Sequence, residues 1–111
     1  MRVYIAGPYG KRTGNSIQEC ENRVDQAINA GRELIKKGHT PFIPHLYHYI
    51  HKNWKESPEE FKWWQICAQW IQFCDVLLRL SGDSVGSDME INVAKGLGIP
   101  VYYSIEDIEN V

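Results

Sequence analysis

Charge of one sign is what this chain has least of. Its 12 Lys and Arg against 14 Asp and Glu leave a formal net charge of −2, which offers no basic footprint for nucleic acid. No apolar run approaches the roughly 20 residues of a membrane span, and no signal-peptide pattern precedes the first apolar run. Cysteine is scarce. Cys20, Cys67 and Cys74 are odd in number and form no C-x-x-C pair, which argues against a disulfide framework or a zinc site and fits a reducing compartment. Repeats and linker-like stretches are missing as well. The expectation is a cytoplasmic chain with no nucleic-acid or membrane partner, folded as one domain over residues 1–111.

Aromatic residues are not scarce. The four Trp, six Tyr and three Phe exceed what a core this small needs, and many fall between Tyr47 and Trp70. That clustering predicts an aromatic wall over a ligand, or an interface.

Read in order, the chain alternates strand and helix. Arg2–Ala6 is a β-type run that ends at Gly7-Pro8-Tyr9-Gly10, and residues 11–14 form a polar loop. A helix is expected from Ser16 to Lys37, with one apolar stripe through Cys20, Val24, Ala27, Leu34 and Ile35. Thr40–Pro44 is a short strand, and His45–Lys55 is a loop or short helix. Ser57-Pro58-Glu59-Glu60 has the signature of a helix start, and that helix is expected to reach Phe73. Asp75–Leu80 is the third strand, Ser87–Leu97 a helix ended by Gly98, Ile99–Tyr103 the fourth strand, and Ser104–Val111 a last helical turn. This alternation predicts a three-layer α/β fold: a parallel sheet of four strands, order 2-1-3-4, with helices on both faces. Ligands of such sheets bind beyond the carboxyl ends of the strands, where the order reverses. Here the loops at that point are Gly7–Gly10 and Gly82–Ser87.

The second of these loops is the most informative stretch. A buried strand empties through Gly82, Ser84 and Gly86 into a helix, so backbone N–H groups and the helix dipole favour an anion, typically a phosphate. Glu90 lies in the first turn of that helix and faces the same crevice. Ser87-Asp88-Met89-Glu90 also fits a capping box, in which Glu90 would only bond back to the N-cap backbone. Both readings stand on sequence alone. His45, His48 and His51 are spaced three apart, but this spacing does not converge on one point of a helix and no carboxylate pattern accompanies it. No metal and no cofactor is expected.

These residues together resemble the nucleoside 2-deoxyribosyltransferase family, and within it the branch of 2′-deoxynucleoside 5′-monophosphate N-glycosidases and their small relatives. The resemblance covers nearly the whole chain. It rests on Val3-Tyr4-Ile5-Ala6-Gly7, Pro44-His45, Cys74-Asp75 and, most specifically, Ser84-x-Gly86-x-x-x-Glu90. It implies a flavodoxin-like fold and cleavage or transfer of an N-glycosidic bond. Glu90 is similar to the family's nucleophile, and Tyr4 to a strand tyrosine that approaches it; an ordinary strand aromatic is the other reading of Tyr4. Ser84 is similar to the serine that binds a 5′-phosphate, where transferases of free nucleosides carry an aspartate. A neutral hydroxyl beside backbone donors suits a phosphate, which a carboxylate would repel. Gly86 and Ser87 would complete the cradle, and Gly7 and Tyr9 the opposite wall. His45 matches a base-side histidine or is a solvated loop residue.

Two positions depart from the family. Its leaving-base aspartate corresponds to Cys67 here, on an apolar stripe and so more in keeping with a small core residue, and Asp88 replaces a small residue. The family also borrows a polar residue from a neighbouring subunit near the C-terminus, which implies a homodimer or higher homo-oligomer; Ser104 and Asn110 are the candidates. The implied reaction is attack of Glu90 on the anomeric carbon of a nucleoside monophosphate. The proton donor for the leaving base is open, with Asp83 and Asp88 the nearby acids. Tyr47, Trp54, Trp63 and Trp64 are candidates to stack on the base, or to pack a core or dimer contact. The alternative is a non-catalytic nucleotide-binding or sensor module of the same fold.

Overall fold

The computed structural model describes residues 1–10 and 16–108. The loop expected at 11–14 and the tail that includes Asn110 lie outside the described residues. Strand β1 (Arg2–Ala6) is central. It pairs in parallel with β2 (Thr40–Phe42) on one side and β3 (Val76–Arg79) on the other, and β4 (Val101–Tyr102) adds to β3. The order is therefore β2-β1-β3-β4, as the alternation predicts.

Alternate residues of the inner strands feed two separate cores, so these strands read as unbroken apolar runs. Val3 and Ile5 of β1 join Val76 and Leu78 of β3 against Ala27, Ala30 and Leu34 of helix α1 (Ile17–Lys36). Tyr4 and Ala6 join Leu77 on the other face, against Ile71 and against Ile91 and Ala94 of α4 (Val85–Gly96). Helix α1 starts on a full capping box between Ser16 and Glu19.

The boundaries differ from expectation in four places, each for a local reason. β2 ends at Phe42 because Pro44 opens a 3-10 turn, Pro44–Tyr47, that leads into the short helix α2 (His48–His51). The helix expected at 57–73 is shorter: α3 covers Glu60–Ala68, and a 3-10 turn, Ile71–Phe73, follows. Ser57 does not cap it, because its hydroxyl accepts the Trp63 indole N–H at 2.9 Å. β4 is two residues long, since the Ile99 amide is spent closing the end of α4 on the Ala94 carbonyl (2.8 Å). Helix α4 begins two residues earlier than expected, with Ser84 as N-cap. The last turn is Ile105–Asp107. None of the described helices is long and apolar enough to cross a membrane.

Candidate functional site

The topology brings the loops after β1 and β3 together. A Cβ on Gly7 would lie 3.0 Å from Leu80 Cβ, and one on Gly82 would lie 2.7 Å from Pro8 Cγ. Gly82 also has φ 113°, a conformation that only glycine adopts without strain. The loop is braced from below by Arg79, whose buried guanidinium donates to the Leu80 carbonyl, to the Gly82 carbonyl at 2.8 Å and to Asp88 Oδ1 at 3.4 Å. Above the two loops lies a cleft of about 190 Å³, closed on its outer side by α2 and the start of α3.

Glu90 is part of the wall of this cleft and only 6% exposed. Its Oε2 accepts the Tyr4 hydroxyl hydrogen. Tyr4 itself is fully buried behind Glu90 and does not reach the cleft; its ring stacks on Phe42 at 5.5 Å. Burial pushes the Glu90 carboxyl up to about 7, although the Tyr4 hydrogen bond and the Arg79 charge pull it down. The same burial, with Glu90 alongside, raises the Tyr4 phenol well above its ordinary value. The capping-box reading of Ser87 and Glu90 is therefore corrected: the cap is Ser84, and Glu90 bonds across to the central strand.

Ser84 accepts the Ser87 amide on its Oγ at 3.1 Å, which leaves its own O–H free to donate. The Val85 and Gly86 amides, at the first positions of α4, have no partner within the helix. The Ser87 hydroxyl is 2% exposed and has no hydrogen-bond partner. Gly86 is pinned by Trp64, whose indole N–H donates to its carbonyl at 2.9 Å, and a Cβ on Gly86 would sit 3.3 Å from that ring. Among the described residues of the wall there is no Lys or Arg, so positive potential comes from the α4 terminus and from Arg79 beneath the loop. Ser84→Ala should lower stability by about 1 kcal/mol, the usual worth of an N-cap hydroxyl; urea unfolding of both proteins measures it.

Gly7, Tyr9 and His45 line the other side. His45 Nε2 donates to the Gly7 carbonyl at 3.1 Å, and burial drops its pKa to about 4, so the ring is neutral. Its Nδ1 is buried and has no hydrogen-bond partner among the described residues. Tyr47, Trp63 and Trp64 are on the wall, with Phe61 stacked on Trp64 at 5.7 Å. Trp54 is not; it is half exposed and meets only the edge of Trp63. Asp83 lines the cleft, whereas Asp88 turns away to Arg79. Cys67 is buried at the cleft wall with its thiol pushed up to about 12. Ser104 is spent on Glu106.

Three features escaped the sequence reading. Arg79 reads as one polar interruption of an apolar strand. Glu60 reads as part of a helix start and Phe61 as part of that helix's apolar stripe, yet both line the cleft. His48 and His51 both reach the Tyr9 hydroxyl, while His45 turns to the Gly7 carbonyl, so the three histidines do not gather at one point. Tyr9 lies on a loop some forty residues earlier, so helix spacing alone gives no sign of its contacts.

Comparison with known proteins follows the fold. Residues 1–104 match a family described as a domain of unknown function (DUF7768). No curated protein matches the chain. Among solved structures, a 2-deoxyribosyltransferase from Bacillus psychrosaccharolyticus superposes with a TM-score of 0.59 at 23% identity, over 91% of this chain and 69% of that one. A 2-desoxiribosyltransferase from Leishmania mexicana gives 0.59 at 18% identity, over 90% of this chain and 61% of that one. These likenesses establish a common fold.

Proposed function

The chain belongs to the DUF7768 family, and from that premise we propose that it cleaves the N-glycosidic bond of a (deoxy)nucleoside 5′-monophosphate, by hydrolysis or transfer, with Glu90 as nucleophile. We read residues 1–111 as one deoxyribosyltransferase-like unit, working as a homo-oligomer. The observation that carries this is the Tyr4–Glu90 pair, buried at the wall of a cleft beside a helix N-terminus. A carboxylate in that position can stabilise or trap an oxocarbenium-like centre as the C1′–N bond breaks. Desolvation, which raises its pKa to about 7, also strengthens its interaction with developing positive charge.

The 5′-phosphate would sit at the start of α4. The Val85 and Gly86 amides, the Ser84 O–H and the partnerless Ser87 hydroxyl can all donate there. The base would lie toward His45 and the rings of Trp63, Trp64 and Tyr47. That the solved structures of this fold include two deoxyribosyltransferases supports the same class of substrate.

A second reading, a nucleotide sensor without chemistry, is favoured by Cys67, which stands where the resembled family carries its leaving-base aspartate. The test is a panel of ribo- and deoxynucleoside 5′-monophosphates with their free nucleosides, assayed for liberated base by chromatography. At least one deoxynucleotide should release base, and Glu90→Gln should release none. Tight binding across the panel with no release would establish the sensor instead.

A further inference from the structure

Breaking a C1′–N bond leaves an electron pair on the base, which departs readily only if a proton reaches it in the same step. That proton must come from the cleft wall. Among the described residues no group is hydrogen-bonded to the Cys67 thiol to return its proton, and Asp88 turns toward Arg79. On the β1 side, however, the Tyr9 hydroxyl contacts His48 Nδ1 and lies 2.8 Å from His51 Nε2. The far nitrogen of His48, Nε2, donates to Glu21 Oε2 on α1 at 2.9 Å, and Lys52 Nζ donates to the same oxygen at 2.6 Å. His48 is 3% exposed at its side chain and Glu21 is 23% exposed. An unbroken chain of titratable groups therefore runs from the cleft, through a buried imidazole, to the solvent. Cys20 and Glu60 also face the Tyr9 hydroxyl.

Resting on the glycosidic reading above, we propose that Tyr9 delivers the proton to the leaving base and draws its replacement from His48, which Glu21 backs. The Lys52 and His48 hydrogen bonds hold the Glu21 carboxyl below its ordinary value, so Glu21 stays ionised and accepts the His48 Nε2–H. The loaded state has protons on both His48 nitrogens, Nε2–H on Glu21 and Nδ1–H on the Tyr9 oxygen. As the C1′–N bond breaks and the Glu90 Oε–C1′ bond forms, the bond's electron pair goes to the base nitrogen. The Tyr9 O–H hydrogen passes to that nitrogen, and His48 Nδ1–H passes to the Tyr9 oxygen. Tyr9 never becomes a tyrosinate, which suits a phenol whose pKa burial has raised. His48 ends neutral. In the second step water attacks C1′, Glu90 leaves as carboxylate, and the proton lost by the water restores His48 through Tyr9. Over both steps one water is consumed, and one free base and one free sugar hydroxyl are formed.

The test compares two leaving groups on the full chain: a deoxynucleoside 5′-monophosphate, whose base needs a proton, and 4-nitrophenyl 2-deoxyribose 5-phosphate, whose phenolate does not. Tyr9→Phe should lower kcat about 100-fold on the nucleotide and less than roughly threefold on the nitrophenyl substrate, the contribution expected of a general acid. Glu21→Gln, at the solvent end, should show the same selectivity with a smaller loss, and it decides the matter if Tyr9→Phe fails to fold. Equal losses on both substrates, or no loss on either, would overturn the relay. Glu90→Gln should be silent on both. A wild-type chain inactive on both would overturn the glycosidic reading, and the relay with it; activity on both with no selectivity in the variants would overturn the relay alone.

Discussion

Glu90→Gln should make the protein more stable at pH 8, by about 3 kcal/mol, while it abolishes base release. Burial holds the Glu90 carboxyl at about 7 in the folded chain, against 4.5 when it is free. Below pH 4.5 the group is protonated in folded and unfolded chains alike and costs nothing. Between pH 4.5 and 7 the unfolded chain ionises and the folded chain does not, so stability falls by up to about 1.4 kcal/mol per pH unit. Above 7 the loss is complete. Glutamine keeps an acceptor for the Tyr4 hydroxyl and has no charge to desolvate, so the variant escapes this loss. The difference between the two proteins should vanish near pH 4.5 and reach about 10 °C in melting temperature at pH 8. Melting curves at the two pH values measure it, and a variant no more stable than wild type at pH 8 would remove the buried-carboxylate account. The activity has the opposite sign. A nucleophile must be ionised, so kcat/KM should fall tenfold per unit as the pH drops below 7. A carboxylate that weakens the fold where it is reactive is the pattern of a site selected for chemistry.

The sheet order could be read from the sequence because β1 and β3 are apolar on both faces, as only inner parallel strands are. Val3-Tyr4-Ile5-Ala6 and Val76-Leu77-Leu78 carry that signal alone. The edges were less legible: β2 and β4 are short, and Pro44 and Ile99 belong to neighbouring turns. The cleft was also located correctly, since two glycine-bearing loops at the switch point have nowhere else to go. The register of α4 was not. Ser84 and Ser87 are each acceptable N-caps with a plausible residue three positions on, and local pattern cannot choose between them. What chooses is the strand end: β3 stops at Arg79, and Arg79 ties down the Leu80 and Gly82 carbonyls, which puts Ser84 where a helix can begin. The Tyr9–His48–Glu21 chain was illegible for a different reason. Its members come from a loop, α2 and α1, and only tertiary packing makes them neighbours.

Arg79→Met should shift the acidic limb of the kcat/KM profile upward from about 7 and destabilise the protein by about 2 kcal/mol. The guanidinium charge lowers the Glu90 carboxyl, so a methionine of similar length leaves desolvation less opposed, and Glu90 ionises at higher pH. The same change leaves the Leu80 and Gly82 carbonyls without their donor, in the loop that must present the α4 amides to a ligand. Arg79→Lys separates the two effects. Lysine retains the charge, so the limb should stay near 7, but a single ammonium cannot reproduce the fork that holds two carbonyls and Asp88 at once. Part of the stability should therefore be lost in the lysine variant, with a rise in KM as the loop loosens. If the limb moved equally in both variants, loop geometry and not charge would set the Glu90 ionisation. If it moved in neither, Arg79 would be a brace for the loop alone, and the low-dielectric pocket around Tyr4 would suffice to tune the carboxylate.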